Sequence, residues 1–265
     1  MDRRPIGVFD SGLGGLTVIR EIKKVLPGED IVYFGDTARL PYGNKSKETV
    51  TRFSKENVRF LLKFKVKLIV VACNTASSVS LPALARLFDV PVIGVIRPGV
   101  ERALEVSDGS AVGVIGTRAT ISSDAYKRLL KRRIPEVKII SKPCPLFVPL
   151  VEEGWLDNNI TLRIVSEYLG DLKKAGVKTL ILGCTHYPLL KSAINKFMGK
   201  GVRLVDSAHE TARTVKRVLK ESSLLSDRTK SRSHRYFVTD EPANFKKVGE
   251  MFLGTRIGFI KKVNI

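Results

Sequence analysis

The sequence predicts an α/β protein of two similar doubly wound parallel-sheet domains, related by pseudo-two-fold symmetry, with the active site in the cleft between them. Three observations lead to this fold class. Short β-branched runs alternate with amphipathic stretches, which is typical of a parallel sheet with helices on both faces. The alternation restarts near the middle of the chain, as an internal repeat. One cysteine follows the third strand of each repeat, at Cys73 and at Cys184.

The predicted elements follow in chain order. Buried strands in the first half are expected at residues 6–9, 31–34, 68–72 and 92–96. The stretch 46–65 is predicted to be a helix, because its apolar side chains fall close to one face: Val50, Phe53, Leu61 and Phe64. The second half has strands at residues 111–115, 137–140, 179–182 and 202–205. A helix between them is marked by Leu162, Val165, Leu169 and Leu172.

The internal repeat can be read directly from matched segments. Residues 7–11 correspond to residues 113–117, and residues 70–75 correspond to residues 181–186. The offsets are nearly constant, 106 residues from Gly7 to Gly113 and 111 residues from Cys73 to Cys184. We therefore assign residues 1–97 and 208–265 to a first domain and residues 98–207 to a second.

The tail after Val205 has no counterpart in the repeat. Ser207 and Glu210 have the spacing of a capping box, which predicts a helix that runs to about Leu219. Residues 222–233 are polar and basic, so we expect a mobile surface loop there. A strand at 235–239, a helix at 244–252 and a strand at 256–260 follow. This tail is expected to pack on the first half, because the chain crosses back after Asp206.

Composition restricts the class of protein. The chain has 265 residues, 46 Lys and Arg against 26 Asp and Glu, and a formal net charge of +20. Because the cations are scattered, we interpret them as a solvated surface and expect no dedicated nucleic-acid partner. No apolar run approaches the length of a membrane span, and the first residues lack the apolar stretch of a signal peptide. We expect a cytoplasmic protein with no membrane partner.

The three cysteines are expected to be free thiols, since an odd number does not form a disulfide framework. Cys144, between two prolines, has no repeat partner and is interpreted as structural. Cys73 and Cys184 occupy matched positions in the repeat, which favours a shared chemical role.

Polar clusters follow several predicted strands, at the edge where ligands bind in open α/β sheets. Small hydroxyl and amide groups suit a carboxylate, and Asp10 suits an ammonium group, so we expect a zwitterionic amino acid or a similar ligand. The clusters expected to line one cleft are Asp10, Ser11 and Gly12; Asp36 with Pro41, Tyr42 and Gly43; Cys73, Asn74 and Thr75; Thr117 with Thr120; and Cys184, Thr185 and His186.

The two thiols suit proton transfer at carbon. Racemisation needs a base on one face of the α-carbon and an acid on the other, and two similar halves supply both. A thiol is a suitable base when a helix N-terminus or a histidine lowers its pKa. His186 is the natural proton partner of Cys184. Asp10 is the corresponding hydrogen-bond acceptor or proton relay near Cys73.

Other sites are weaker interpretations. A zinc site at Cys73, Cys184 and His186 lacks an evident fourth ligand, and we expect no metal. The run Gly12-Leu13-Gly14-Gly15 resembles a dinucleotide fingerprint, which fails because Thr17 stands where the third glycine belongs. A phosphoryl-transfer role for Asp10 lacks a P-loop. His209 and His234 are interpreted as a helix start and a surface residue.

The full chain closely resembles the glutamate racemase family. The motifs that carry this resemblance are residues 8–15, Pro41-Tyr42-Gly43, residues 72–77, Gly116-Thr117 through Tyr126, residues 144–152, and Gly183-Cys184-Thr185-His186-Tyr187-Pro188. The resemblance implies interconversion of L- and D-glutamate, with D-glutamate supplied to peptidoglycan biosynthesis, and neither pyridoxal phosphate nor a metal as cofactor.

The resemblance also implies roles for individual residues. Cys73 would take the proton from the D-enantiomer, and Cys184 would take it from the L-enantiomer. Glu152 would lie near His186. The residues implied to bind substrate are Asp10, Ser11, Tyr42, Gly43, Asn74, Thr75, Thr185 and His186, to which the cleft argument adds Pro41, Thr117 and Thr120.

One departure and two alternatives remain at this point. Arg97 stands where relatives often have Glu, at the edge of the expected cleft.

An aspartate racemase is the alternative enzyme, since the sequence is a poor guide to the size of the cleft. A basic binding protein that kept the fold is the alternative from another class, and loss of one cysteine would mark it. We expect L- or D-glutamate as the small-molecule partner, and a homodimer.

Overall fold

The computed structural model describes residues 1–265 and contains ten strands in two parallel sheets. The strands are β1 (Ile6–Asp10), β2 (Ile31–Gly35), β3 (Leu68–Val71), β4 (Val92–Gly94), β5 (Val112–Gly116), β6 (Ile139–Pro143), β7 (Thr179–Gly183), β8 (Arg203–Asp206), β9 (His234–Val238) and β10 (Phe259–Lys262). The first sheet has the order β10-β9-β2-β1-β3-β4, and the second has the order β6-β5-β7-β8. The predicted α/β class with two parallel sheets is confirmed.

The strand order repeats between the two sheets. The segment β2-β1-β3-β4 of the first sheet has the same connectivity as β6-β5-β7-β8 of the second. In both sheets the strand that precedes a cysteine, β3 or β7, pairs with the strand that opens its half, β1 or β5. This arrangement agrees with the internal repeat in the sequence. The tail strands β9 and β10 extend the first sheet beyond β2, as predicted.

Helices connect the strands and cover both sheets. They are α1 (Leu16–Val25), α2 (Lys47–Leu62), α3 (Asn74–Leu87), α4 (Ile96–Val106), α5 (Arg118–Ser122), α6 (Ala125–Arg133), α7 (Phe147–Glu152), α8 (Asn159–Lys174), α9 (Lys191–Met198), α10 (Ser207–Glu221) and α11 (Pro242–Leu253). None of these helices is both long and apolar enough to cross a membrane. The central strands β1, β2, β3, β5 and β7 are buried throughout, because helices exclude water from both faces of the sheet.

Several predicted boundaries need correction. The strand expected at 92–96 ends at Gly94, because Ile96 begins α4. The last strand begins at Phe259 rather than at 256, since Ile257 turns into the core against α11. The capping box at Ser207 and Glu210 is wrong. Asp206 is the N-cap of α10, where its Oδ1 accepts a hydrogen bond of 2.9 Å from the Ala208 amide.

The segment 222–233 is attached to the first sheet. Arg228 pairs with Asp30 at 2.7 Å, the Ser226 amide donates to Glu29 at 2.8 Å, and the Ser231 amide donates to the Pro27 carbonyl at 2.7 Å. The prediction of a mobile surface loop is therefore not supported.

His234, expected at the surface, is only partly exposed, because it lies on β9 beside β2 and its Nδ1 is buried. Strands β1–β4, β9 and β10 form one sheet and β5–β8 the other, while α4 and α10 pack against each other between them. The assignment of these connecting helices to either domain stays a prediction.

Candidate active site

One cavity of about 420 Å³ opens where the carboxyl ends of strands from both sheets meet. It receives side chains from both halves of the repeat, as the strand-end argument predicts. The predicted site residues that line it are Ser11, Pro41, Tyr42, Gly43, Cys73, Asn74, Thr75, Thr117, Glu152, Cys184, Thr185 and His186. The cavity therefore brings together twelve of the sixteen residues that the sequence places at the cleft, and it leaves out Asp10, Gly12, Asp36 and Thr120.

Asp10 and Thr120 do not line the cavity. Asp10 is fully buried behind the lining residues, where its carboxylate accepts from the Gly12 amide at 2.9 Å and from the Thr185 hydroxyl at 3.4 Å. The hydroxyl of Thr120 lies 3.2 Å from that of Thr75 and 3.0 Å from that of Thr117. Both residues contact the lining side chains and hold them in place.

Cys73 is the N-cap of α3, with the side chain 5% exposed. Its Sγ lies 3.5 Å from the amide nitrogen of Ala76 and 3.7 Å from the hydroxyl of Ser11. Burial, followed by the negative charge of Asp10, raises the pKa of Cys73 to about 12, against the opposing effect of the contacts with Ala76 and Ser11. Cys73 is therefore a protonated thiol at neutral pH in the absence of ligand.

Cys184 lies beside a histidine that carries positive charge. Its Sγ is 3.8 Å from Nδ1 of His186, whose Nε2 lies 2.9 Å from Oε1 of Glu152 at the end of α7. Burial alone lowers the pKa of His186, but its contacts with Cys184 and Glu152 outweigh burial and raise the pKa to about 10. The charged ring of His186 therefore lies within contact distance of the Cys184 thiol, inside the cavity.

Asn74 has one satisfied and one free polar group. Its Oδ1 accepts a hydrogen bond of 2.6 Å from the hydroxyl of Tyr126, while its Nδ2 is buried without a partner. Asn74 lines the cavity at the first turn of α3. An unused donor at the N-terminus of a helix is an arrangement that suits a carboxylate.

The glycines near the cavity permit close contact between the halves. A Cβ at Gly14 would lie 2.1 Å from the Thr185 hydroxyl and 2.7 Å from Nδ1 of His186. A Cβ at Gly43 would lie 2.7 Å from Cβ of Thr117. Gly14 therefore serves the packing of one half against the other, which explains the glycine-rich run that is not a dinucleotide fingerprint.

Asp36 lies behind the cavity. Its carboxylate is fully buried and accepts hydrogen bonds from Arg39 at 2.7 Å and from the hydroxyl of Tyr42. The Tyr42 hydroxyl also accepts from Nδ2 of Asn57 at 3.1 Å. The expectation that Asp36 faces the cleft is therefore wrong, and its contacts instead fix the position of Tyr42.

Part of the cavity wall was missed by reasoning from sequence. The additional lining residues are Leu40, Asn44, Arg118, Pro145, Leu146, Val148 and Pro149. Most of them are apolar, and a search for polar strand ends does not detect apolar lining. Arg97, expected at the edge of the cleft, does not line it and pairs with Glu101 at 3.2 Å on the solvent-exposed side of α4. No group of three or more His, Cys, Asp or Glu side chains is arranged to hold a metal ion.

Comparisons with known proteins agree with the fold and the motifs. The family model for Asp/Glu/hydantoin racemases matches residues 6–215. The chain is 53% identical to the glutamate racemase of Geobacter metallireducens over 265 residues, which covers all of this chain and 98% of that protein.

Two solved structures are similar over nearly their whole length. The glutamate racemase of Bacillus anthracis has a TM-score of 0.95 at 42% identity, covering 100% of this chain and 99% of the other. The enzyme from Francisella tularensis, solved in complex with D-glutamate, has a TM-score of 0.93 at 40% identity, covering 100% and 98%. The chain thus belongs to the Asp/Glu/hydantoin racemase family of isomerases, among the glutamate racemases.

Proposed function

We propose that this chain interconverts L- and D-glutamate, with Cys73 and Cys184 acting as acid and base on opposite faces of the α-carbon. The observation that carries the proposal is that two buried thiols, from matched strand ends of separate sheets, line one cavity. Cys144, the third thiol, does not line it. Its Sγ lies 3.7 Å from the Lys142 carbonyl.

The surroundings of the two thiols support a direction for the first step. Burial raises the pKa of Cys73, which keeps its proton, while Sγ of Cys184 lies 3.8 Å from Nδ1 of the positively charged His186. The Cys184 thiolate takes the α-proton of L-glutamate as the C–H bond breaks, and the electron pair is delocalised into the carboxylate. The Cys73 thiol then delivers its proton to the other face of the carbon, which gives D-glutamate. The reverse reaction begins with the protonation states exchanged.

The carboxylate of the substrate is proposed to bind at the first turn of α3. The free Nδ2 of Asn74 and the hydroxyls of Thr75 and Thr117 supply hydrogen-bond donors there. Stabilising the carboxylate also stabilises the charge that develops when the α-proton leaves. Asp10 is buried behind Ser11 and Cys73, so we assign it to holding the site residues rather than to direct contact with the ammonium group.

Glutamate is proposed as the substrate in preference to aspartate. The relatives at 45–53% identity are named glutamate racemases. A Picrophilus torridus protein named aspartate racemase is 17% identical with a TM-score of 0.58, which shows only a shared fold. We further propose that D-glutamate serves peptidoglycan biosynthesis, that the enzyme is a cytoplasmic homodimer, and that neither pyridoxal phosphate nor a metal takes part. The resemblance in sequence supports the pathway and the cofactor proposals.

Racemisation without added cofactor tests the proposal. Purified enzyme, dialysed against a chelator, is incubated with each enantiomer of glutamate and of aspartate, and optical rotation is followed. Cys73→Ser and Cys184→Ser should each reduce the rate in both directions by about 10²–10⁴-fold, since each direction needs one thiol as base and the other as acid. In deuterated water the label should enter mainly the product enantiomer.

The matched control is Cys144→Ser, which removes a buried thiol outside the cavity and should cost little activity. Circular dichroism verifies that all three variants are folded. Near wild-type rates for Cys73→Ser or Cys184→Ser in either direction would contradict the two-thiol mechanism. Activity that is lost to the chelator and restored by zinc would contradict the metal-free reaction.

A further inference from the structure

We propose that Tyr126 is a positioning residue that fixes the orientation of the Asn74 side-chain amide, so that its NH₂ group faces the cavity. This inference rests on the proposed binding of glutamate in that cavity. It assigns a role to a buried tyrosine of α6 that does not itself line the cavity.

The geometry consists of one short hydrogen bond and one free donor. The Tyr126 hydroxyl donates to Oδ1 of Asn74 at 2.6 Å, and both residues are 2% exposed. Nδ2 of the same amide has no partner. Since Asn74 lines the cavity, a ligand placed there is the available acceptor for this donor.

The direction of the hydrogen bond matters because an asparagine amide has two orientations. With a hydroxyl donor at Tyr126, the amide oxygen turns toward the tyrosine, and the nitrogen is left as the free donor of a residue that lines the cavity. In the opposite orientation the free group would be the amide oxygen, whose lone pairs would repel a carboxylate. Burial raises the pKa of Tyr126, so the hydroxyl keeps its proton and remains a donor over the working pH range.

The ring of Tyr126 is held by close packing. A Cβ at Gly183, the residue before Cys184, would lie 3.1 Å from its Cε2. A Cβ at Gly99 of α4 would lie 3.5 Å from its hydroxyl and 3.2 Å from Cβ of Ser207, the first residue of α10. The hydroxyl therefore has a defined position, and through it the second half of the repeat orients an amide of the first.

The test is Tyr126→Phe, which removes one hydroxyl and keeps the ring. We expect KM for both enantiomers to rise about tenfold, because the hydrogen bond from the Asn74 amide to the substrate carboxylate becomes weaker. A factor of ten corresponds to the free energy that one hydrogen bond to a charged group typically contributes. The kcat should fall as well, because the same contact stabilises the charge that develops on the carboxylate when the α-proton leaves. Calorimetric affinity for D-glutamate should fall by a similar factor.

Two further variants separate positioning from packing. Tyr236→Phe, the matched control, removes the hydroxyl of a buried tyrosine on β9 that lies outside the cavity, and should leave KM unchanged. In an Asn74→Ala background, Tyr126→Phe should cause no additional loss of affinity, because no amide remains to be oriented.

The outcomes distinguish this inference from the proposed function. If Tyr126→Phe binds D-glutamate as tightly as the wild type, or if its effect persists fully in Asn74→Ala, the positioning role is wrong. If the wild type binds glutamate without racemising it, the two-thiol proposal fails while the loss of affinity in Tyr126→Phe still supports the positioning role. If the wild type binds no glutamate, both are overturned.

Discussion

Gly14→Ala places a single methyl group between the two halves of the site. The new Cβ would lie 2.1 Å from Oγ1 of Thr185 and 2.7 Å from Nδ1 of His186. Ordinary contacts of a Cβ begin near 3.4 Å, so Thr185 and His186 must move by about 1 Å, a displacement that can reduce a rate by about 10²-fold. We expect that loss in both directions of racemisation.

The change acts through geometry and not through chemistry. Gly14 does not line the cavity, and it has no positive φ that an alanine would strain. Overpacking of this kind typically destabilises a protein by about 1–3 kcal/mol, so the variant should still fold. Steady-state racemisation of both enantiomers, together with a thermal melt, separates the loss of activity from the loss of stability.

Gly170→Ala is the matched control. This glycine lies within α8, and a Cβ there meets no atom within 4 Å. Alanine should stabilise the helix by about 0.5–1 kcal/mol and leave activity unchanged. If Gly14→Ala racemises glutamate at the wild-type rate, the close approach of Gly14 to Thr185 and His186 is not required for catalysis, and the argument is refuted.

Two predictions concern stability. Lys67→Met should destabilise the protein by about 3–5 kcal/mol in urea unfolding, since it leaves the carboxylate of Glu29 buried without the ammonium group that lies 2.6 Å away. Lys67→Met combined with Glu29→Met should recover only part of this loss, because Lys67 also donates to the Asp2 and Leu224 carbonyls and Glu29 also accepts from the Ser226 amide. Equal stability of the single and double variants would contradict the reasoning. Burial, followed by Lys23, lowers the pKa of His234 to about 4. The folded state therefore binds a proton at His234 less readily than the unfolded state does. The stability that neutral His234 contributes is present above pH ~6.5 and is lost as the pH falls toward 4. His234→Phe should flatten that part of the Tm–pH profile, and an unchanged profile would exclude the assignment.

The hydrophobic pattern alone predicted most of the fold. A strand buried on both faces must be apolar along its length, so residues 6–9, 31–34 and 179–182 were recognisable without any tertiary information. The repeat predicted two sheets, and the carboxyl ends of their strands located the cavity. Boundaries such as that of β10 depended on Ile257, which turns into the core for reasons of packing that no local pattern contains.

The sequence by itself determined which chemical groups are available at the strand ends, and in particular the matched cysteines. Only the tertiary structure decided which of these groups face the cavity. Asp10 and Asp36 are fully buried behind the cavity wall, and apolar residues such as Leu146 complete that wall. The physical reason is that the local pattern of apolar residues determines where a strand runs and which residue stands at its end. The direction of its side chain and its hydrogen-bond partner, as for Asn74, depend on how one half of the molecule packs against the other.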